Sequence, residues 1–266
     1  MAYRSSSVSV TNGQGTSGTV PVPTGAAIDD IAIIGASIDN AAGQTFNWGT
    51  GFTELRDTDL ASPDGHNGSI AWKRLTAADT GNYTVSWTAN ADYLLQCVLF
   101  SGRHTTDPPV AATAATDTNA NTSPITVTSN AVTAIDGDDL LWVALPDVTA
   151  GNGGTSFSPP TDFTERTDTV DAGTNGWCTM SMATRDNVSA GSTGGIAGTF
   201  VASSTAGWVA HLVRIPTSAA PAAGQPTSKR HGGVPFVALP GRGNVWAPVF
   251  RQLMLIGPSS SIRKAA

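Results

Sequence analysis

The only two glutamates of the chain, Glu54 and Glu165, occupy matching positions in two similar phrases, GFTELRDT (51–58) and DFTERTDT (162–169). Two carboxylates about 5–10 Å apart could act as the acid and the base of a glycoside hydrolase. Equivalent positions in two repeats should instead lie in two different structural units. We therefore predict no catalytic residues, and we interpret both glutamates as surface residues beside a repeated core phenylalanine.

The four histidines and two cysteines show none of the spacings typical of zinc sites or of nucleophilic catalysis. His66 lies in a turn-rich stretch and is predicted to be a structural loop residue, whereas His211 lies in an apolar strand and is predicted to be a core residue. Cys97 and Cys178 are predicted to be buried thiols, because free cysteine behaves as a small hydrophobic residue. A bridge between them stays open, and neither a metal nor a cofactor is predicted.

The acidic stretch IDGDD (135–139) resembles a calcium loop only superficially. It lacks the 12-residue spacing and the closing glutamate of an EF-hand. An acidic pair also precedes the corresponding strand near residue 30. The stretch is predicted to be a strand-entry turn, with calcium binding as the alternative.

Seven tryptophans raise the hypothesis of carbohydrate binding, since sugar rings stack on exposed aromatic faces. Trp48, in the loop FNWGTG, is the candidate glycan contact. Trp72, Trp142 and Trp208 lie inside apolar strand patterns and are predicted to be core residues.

These candidates sit on a chain whose composition favours strands. Only 13% of its 266 residues are charged, and turn-forming residues abound, which suits short strands joined by many turns. The match between the two phrases extends to other segments in the same order: 27–38 with 134–145, 68–87 with 176–200, and 92–102 with 206–216. The apolar runs IAIIGASI and LLWVAL are predicted to be central strands that pack on both faces.

The sequence therefore predicts an all-β protein with two tandem β-sandwich repeats of the jelly-roll or immunoglobulin-like type. Residues 1–104 form the first repeat, 105–122 a linker or crossover without strand pattern, 123–216 the second repeat, and 217–266 an extended Pro-rich C-terminal arm. Whether the two sandwiches are separate or fused stays open.

The arm also differs from the rest of the chain in charge. Residues 1–213 hold seven Lys and Arg against all twenty acidic residues, a net charge of −13, whereas residues 214–266 hold seven Lys and Arg and no acid, a net charge of +7. Apolar residues in a segment that prolines keep extended are usually buried on a partner, although the arm could also wrap its own body. The predicted docking residues are Arg230, Phe236, Arg242, Trp246, Phe250 and Arg251.

The phrases FSPPTDFTERTDT (157–169) and IAWKRLTAADTGNYTVSW (70–87) resemble β-sandwich repeats in structural proteins of tailed bacteriophages and related particles. The segment SKRHGGVPFVALPGRGNVW (228–246) is similar to C-terminal segments of such proteins. The resemblance implies head decorations, head fibres or tail components, and it implies no catalytic residues.

We therefore expect a non-enzymatic virion protein, assembled in the host cytoplasm, that decorates a capsid or forms a head fibre. Its expected partners are the major capsid protein or other virion proteins and copies of itself, with a trimer as one candidate. A tail-associated adhesin for host-surface glycans is the alternative, and a glycan hydrolase is a third hypothesis. Neither a membrane nor nucleic acid is an expected partner, because the chain lacks a long apolar run and the basic residues of the arm are sparse.

Overall fold

The computed structural model describes residues 3–10, 14–39, 43–60, 65–102, 105–120, 123–148, 156–170, 177–201 and 206–217. These residues form no helix, and all their strand pairs are antiparallel, as the predicted all-β class requires. The strands are β1 (Tyr3–Val10), β2 (Gly15–Pro21), β3 (Ile31–Asp39), β4 (Thr53–Arg56), β5 (Asp59–Leu60), β6 (His66–Arg74), β7 (Asn82–Phe100), β8 (Val110–Ala111), β9 (Ala115–Ala120), β10 (Ile125–Ser129), β11 (Thr133–Ala134), β12 (Asp138–Val148), β13 (Ser156–Ser158), β14 (Thr164–Val170), β15 (Trp177–Val188), β16 (Gly191–Ser192), β17 (Ile196–Val201) and β18 (Ala206–Ile215).

Two large sheets dominate the architecture. The first sheet has the order β1-β7-β3-β6-β4, with β2 paired to β7 and β5 to β6, and the second sheet has the order β14-β15-β12-β18-β8, with β9 also paired to β18. The two orders agree strand by strand when β3 is matched with β12, β6 with β15 and β7 with β18. That this likeness arises from a tandem repeat of the sequence is an interpretation.

The two sheets pack face to face, which decides how the two halves of the chain are joined. Inward residues of β3, β6 and β7 form one core with inward residues of β12, β15 and β18, and we call this layer the inter-sheet core. Two further cores lie on the outer faces, one under β2 and the first half of β7, the other under β10, β13 and β17. The central strands β3 and β12 are therefore buried on both faces, as predicted; all nine residues of β3 are buried.

Polar contacts cross the inter-sheet core and fix the two sheets against each other. The Gln96 amide donates to the carbonyl oxygen of Met180 at 3.0 Å and accepts a hydrogen bond from the Thr167 hydroxyl. His211 Nε2 lies 2.9 Å from the carbonyl oxygen of Gly68. Because each of these groups is buried and paired across the layer, a slip in register would leave them unsatisfied.

The two phrases that opened the sequence comparison form the same local structure. In each, the phenylalanine nitrogen donates to the residue three positions earlier, Phe52 to Gly49 at 3.4 Å and Phe163 to Pro160 at 3.0 Å. In each, the residue before the phenylalanine has a positive φ, 83° at Gly51 and 65° at Asp162. A register shift then follows the glutamate in both edge strands, so the phrase specifies a turn followed by a β-bulge.

Segment 105–122 differs from the prediction, because β8 and β9 lie within it and pair with β18. Pairing along an edge uses backbone groups, so the segment needs no alternating apolar pattern to join the sheet. Cys97 and Cys178 are free and buried, as predicted. Cys97 lies in the outer core of the first sheet, whereas Cys178, on β15 of the second sheet, lies in the inter-sheet core. The first sheet therefore separates the two thiols, and no disulfide joins them.

Candidate functional site

A group of polar side chains closes one end of the inter-sheet core. Asp39 ends β3, His66 begins β6, and Asp147 lies one residue before the end of β12. One potential ligand atom from each residue lies within 4.8 Å of the others, and no other such group of three occurs among the described ranges. We call these three residues the end cluster; it joins two strands of the first sheet to one strand of the second.

Local pairing explains why these side chains meet. Asp39 pairs with His66 in the register of β3 and β6, so the two side chains project from the same face. On β12, Leu141, Val143 and Leu145 point into the inter-sheet core. Asp147 continues this alternation and therefore faces the first sheet.

His66 is the most unusual member of the end cluster. Its side chain is wholly buried, and neither ring nitrogen has a partner at hydrogen-bonding geometry. Burial lowers the pKa of His66, while the charge of Asp147 and the nearby backbone of Leu145 oppose that shift. The prediction of a structural loop residue is thus wrong: the ring is a strand residue held inside the protein, because β5 and β3 flank β6 at this position.

Two further polar residues adjoin the end cluster. Asp92 on β7 pairs with Asp39 from the other side of β3, and it is wholly buried. Cys178 pairs with Asp147 on the second sheet, and its thiol donates to the backbone carbonyl of Asp92 at 3.4 Å. Imidazole and carboxylate groups that converge in this way can hold a divalent cation.

The cationic side chains of the described part of the chain bind elsewhere. Each of its seven Lys and Arg residues contacts a carboxylate, a backbone carbonyl or an aromatic ring outside the end cluster. These residues are Arg4, Arg56, Lys73, Arg74, Arg166, Arg185 and Arg214. None of the seven therefore supplies positive charge to the cluster.

The remaining sequence candidates take ordinary structural roles. His211 is wholly buried, as predicted, and burial lowers its pKa to about 4. Trp142 and Trp208 are core residues, as predicted, whereas Trp72 is only partly buried. The acidic stretch forms a turn, as predicted: Asp138 accepts a hydrogen bond from the Ile135 nitrogen at 2.8 Å.

The two glutamates do not meet. Glu54 pairs with Ala71, which faces the outer core of the first sheet, and Glu165 pairs with Ala183, which faces the outer core of the second. Two stacked sheets lie about 10 Å apart, and these side chains point away from that interface. Glu54 accepts a hydrogen bond from Trp48 Nε1 at 3.0 Å, while burial and the charge of Asp168 raise the pKa of Glu165.

Trp48 lines a cleft beside the outer core of the first sheet. The cleft has a volume of about 290 Å³, and its lining residues are Trp48, Gly49, Thr50, Phe52, Asn82, Tyr83 and Thr84. Trp48 itself is only 5% exposed, and Phe46 stacks on its ring at 5.0 Å. The cleft therefore offers polar groups and aromatic edges, whereas the stacking role predicted for Trp48 requires an open ring face.

The predicted docking residues Arg230, Phe236, Arg242, Trp246, Phe250 and Arg251 lie outside the described residues. The described chain ends at Thr217, whose nitrogen donates to Asp138 at 3.3 Å. This contact places the start of the arm beside the turn that precedes β12. Since the ends of β3 and β12 meet at the end cluster, their beginnings lie at the opposite end of the body, which we call the arm end.

Sequence reasoning missed the end cluster, although one signal was present. Asp30 and Asp39 bracket β3 with the same spacing as Asp138 and Asp147 on β12. An acid at the far end of each of two matched, doubly buried strands is unusual, because buried carboxylates are costly unless they are paired. His66 carried no such signal, since only strand pairing brings it to Asp39.

None of the described residues forms a helix with the length and hydrophobicity that a bilayer crossing requires. Comparison of the chain with protein-family models, curated proteins and solved structures found no match.

Proposed function

We propose that this chain is a non-enzymatic structural subunit of a virion, specifically a capsid decoration or head-fibre protein that attaches through its C-terminal arm. The observation that carries the proposal is the change in character after residue 213, from a net charge of −13 over residues 1–213 to a net charge of +7 over residues 214–266, nearly all of which form the apolar, Pro-rich arm. A segment of this composition suits docking onto an acidic, partly apolar protein surface.

The geometry of the body is consistent with attachment at the arm end. Ile28 and Ile135, in the matched turns before β3 and β12, are 63% and 60% exposed. Val110, 46% exposed, pairs with Arg214 near the same end. Three large apolar side chains are thus exposed at the end of the body where Thr217 contacts Asp138, and they would add apolar surface to an interface there.

Attachment would combine two kinds of contact. Arg230, Arg242 and Arg251 would pair with acidic groups of the partner, and Phe236, Trp246 and Phe250 would fill apolar pockets, since Arg and aromatic anchors commonly dominate interfaces. The partner is the major capsid protein or another virion protein. Many copies on a symmetric particle, as a homo-oligomer such as a trimer, would add avidity to weak single contacts.

The test uses full-length variants mixed with particles assembled without this protein. Arg242→Glu and Trp246→Ala should each reduce the bound fraction at least tenfold, because an anchor residue contributes about 2 kcal/mol or more. Arg185→Glu is the control, since this side chain is 41% exposed on the body. Binding that survives in both arm variants and in a chain lacking residues 226–266 would refute the proposed attachment.

The cleft at Trp48 favours a second candidate function, a tail-associated adhesin for host-surface glycans. Asn82 and Thr84 are exposed in the cleft and could hydrogen-bond a sugar beside the aromatic edges of Phe52 and Tyr83. A glycan array should then show binding that Asn82→Ala and Thr84→Ala weaken. Thr126→Ala, an exposed strand threonine of the second half, is the control; an array without any hit would exclude this candidate.

A further inference from the structure

The end cluster holds a buried imidazole beside two carboxylates. His66 is wholly buried, yet neither ring nitrogen makes a hydrogen bond of normal geometry, and the backbone of Leu145 supplies only a weaker polar interaction. A buried ring that only paired with its neighbouring carboxylates would place an N–H within about 2.7–3.2 Å of an oxygen. One ring nitrogen lies beside one oxygen of Asp39 and one of Asp147, all three atoms being within 4.8 Å of one another.

We propose that Asp39, His66 and Asp147 bind a divalent transition-metal ion of the zinc class. Zinc binds imidazole nitrogen and carboxylate oxygen at about 2.0–2.2 Å, which sets neighbouring ligand atoms roughly 3.4 Å apart in a tetrahedral site. The three atoms already lie within 4.8 Å, so small side-chain rotations complete the geometry. The imidazole ligand favours zinc over calcium and magnesium, which prefer oxygen ligands.

Asp92 adjoins the three ligands, although its carboxylate oxygens are not among the atoms that lie within 4.8 Å of one another. It is wholly buried and lies opposite Asp39 on the neighbouring strand, where facing Cβ atoms are about 4.5–5.5 Å apart. The thiol of Cys178 donates a hydrogen bond to the backbone carbonyl of Asp92, so we do not include it among the ligands. The site therefore has a nitrogen and oxygen ligand set.

The ion would join the two halves of the body. Asp39 and His66 belong to the first sheet and Asp147 to the second. A metal bound by all three cross-links the sheets at the end of the inter-sheet core, opposite the arm end. Because the unfolded chain does not bring these residues together, binding energy becomes folding energy. This role is independent of the proposed attachment and would hold whatever the arm binds.

The experiment uses the full-length chain, freed of any tag and stripped with a chelator. Addition of Zn²⁺ should load one ion per chain, measured by elemental analysis after gel filtration. It should also raise the midpoint of thermal unfolding by about 5–10 °C when free zinc is 100-fold above its Kd. Absence of zinc binding by the wild-type chain overturns the proposal.

Variants locate the ion. His66→Gln, which keeps the size and polarity of the side chain, should weaken zinc binding at least tenfold and abolish the thermal shift. His211→Gln, a second buried histidine of the same core, and a His104→Gln/His231→Gln double variant should bind as the wild type does. Wild-type zinc binding by a folded His66→Gln chain, or its loss in the double variant alone, refutes the site.

A second variant covers the case in which His66→Gln does not fold. Asparagine has nearly the same size and shape as aspartate, so Asp147→Asn removes a ligand charge with little change in packing. Zinc affinity reduced at least tenfold in Asp147→Asn supports the site, and unchanged affinity overturns it.

Discussion

Acid should destabilise this protein through His211, and the structure sets the size of the effect. The ring is wholly buried in the inter-sheet core, where Nε2–H donates to the Gly68 carbonyl at 2.9 Å. Burial lowers the pKa of His211 from 6.5 to about 4; the bond to Gly68 opposes the change, and the positive charge of Arg56 adds to it.

The sign follows from linkage. Between pH 4 and 6.5 the unfolded chain binds a proton at this histidine and the folded chain does not, so stability rises with pH over that window. The contribution of His211 is complete above about pH 6.5 and is lost as the pH falls toward 4. It amounts to about 3 kcal/mol, because a tenfold change in an equilibrium constant corresponds to about 1.4 kcal/mol.

The assay is guanidinium unfolding of the wild type and of His211→Gln at several pH values from 4 to 7, with a chelator present. The glutamine amide can still donate to Gly68 but does not titrate. The wild type should lose about 3 kcal/mol more than the variant over this range, since every other group titrates in both chains. Parallel curves, within about 0.5 kcal/mol, would refute the reasoning.

Two further predictions concern an arginine and the thiols. Arg56 donates to the carbonyls of Leu55, Ala111 and Ala112, so Arg56→Met should cost about 1.5–3 kcal/mol of unfolding free energy in denaturant titration. Arg185→Met, which removes an exposed ion pair, should cost less than about 0.5 kcal/mol, and equal costs would contradict this view. Both cysteines are buried, and burial raises the pKa of Cys97, so a thiol reagent should label neither in the native chain and both in guanidinium; rapid native labelling would contradict this burial.

The candidate site shows which buried residues can be predicted from the sequence pattern around them and which cannot. His211 was predictable as a core residue because its own strand is apolar on both sides. His66 was not, because its immediate neighbours are turn-forming residues and its burial depends on β3 and β5. Asp39 and Asp147 are 108 residues apart, and nothing local indicates that their strands end at the same place.

The sequence by itself determined the all-β class, the doubly buried central strands and the similarity of the two repeated phrases. These features depend on side-chain periodicity and on local backbone preference, which short segments carry. Only the tertiary structure decided that the two large sheets stack, that segment 105–122 extends the second sheet, and that an imidazole meets two carboxylates between them. Those outcomes depend on which distant surfaces bury each other, and packing between faces has no signature within a single strand.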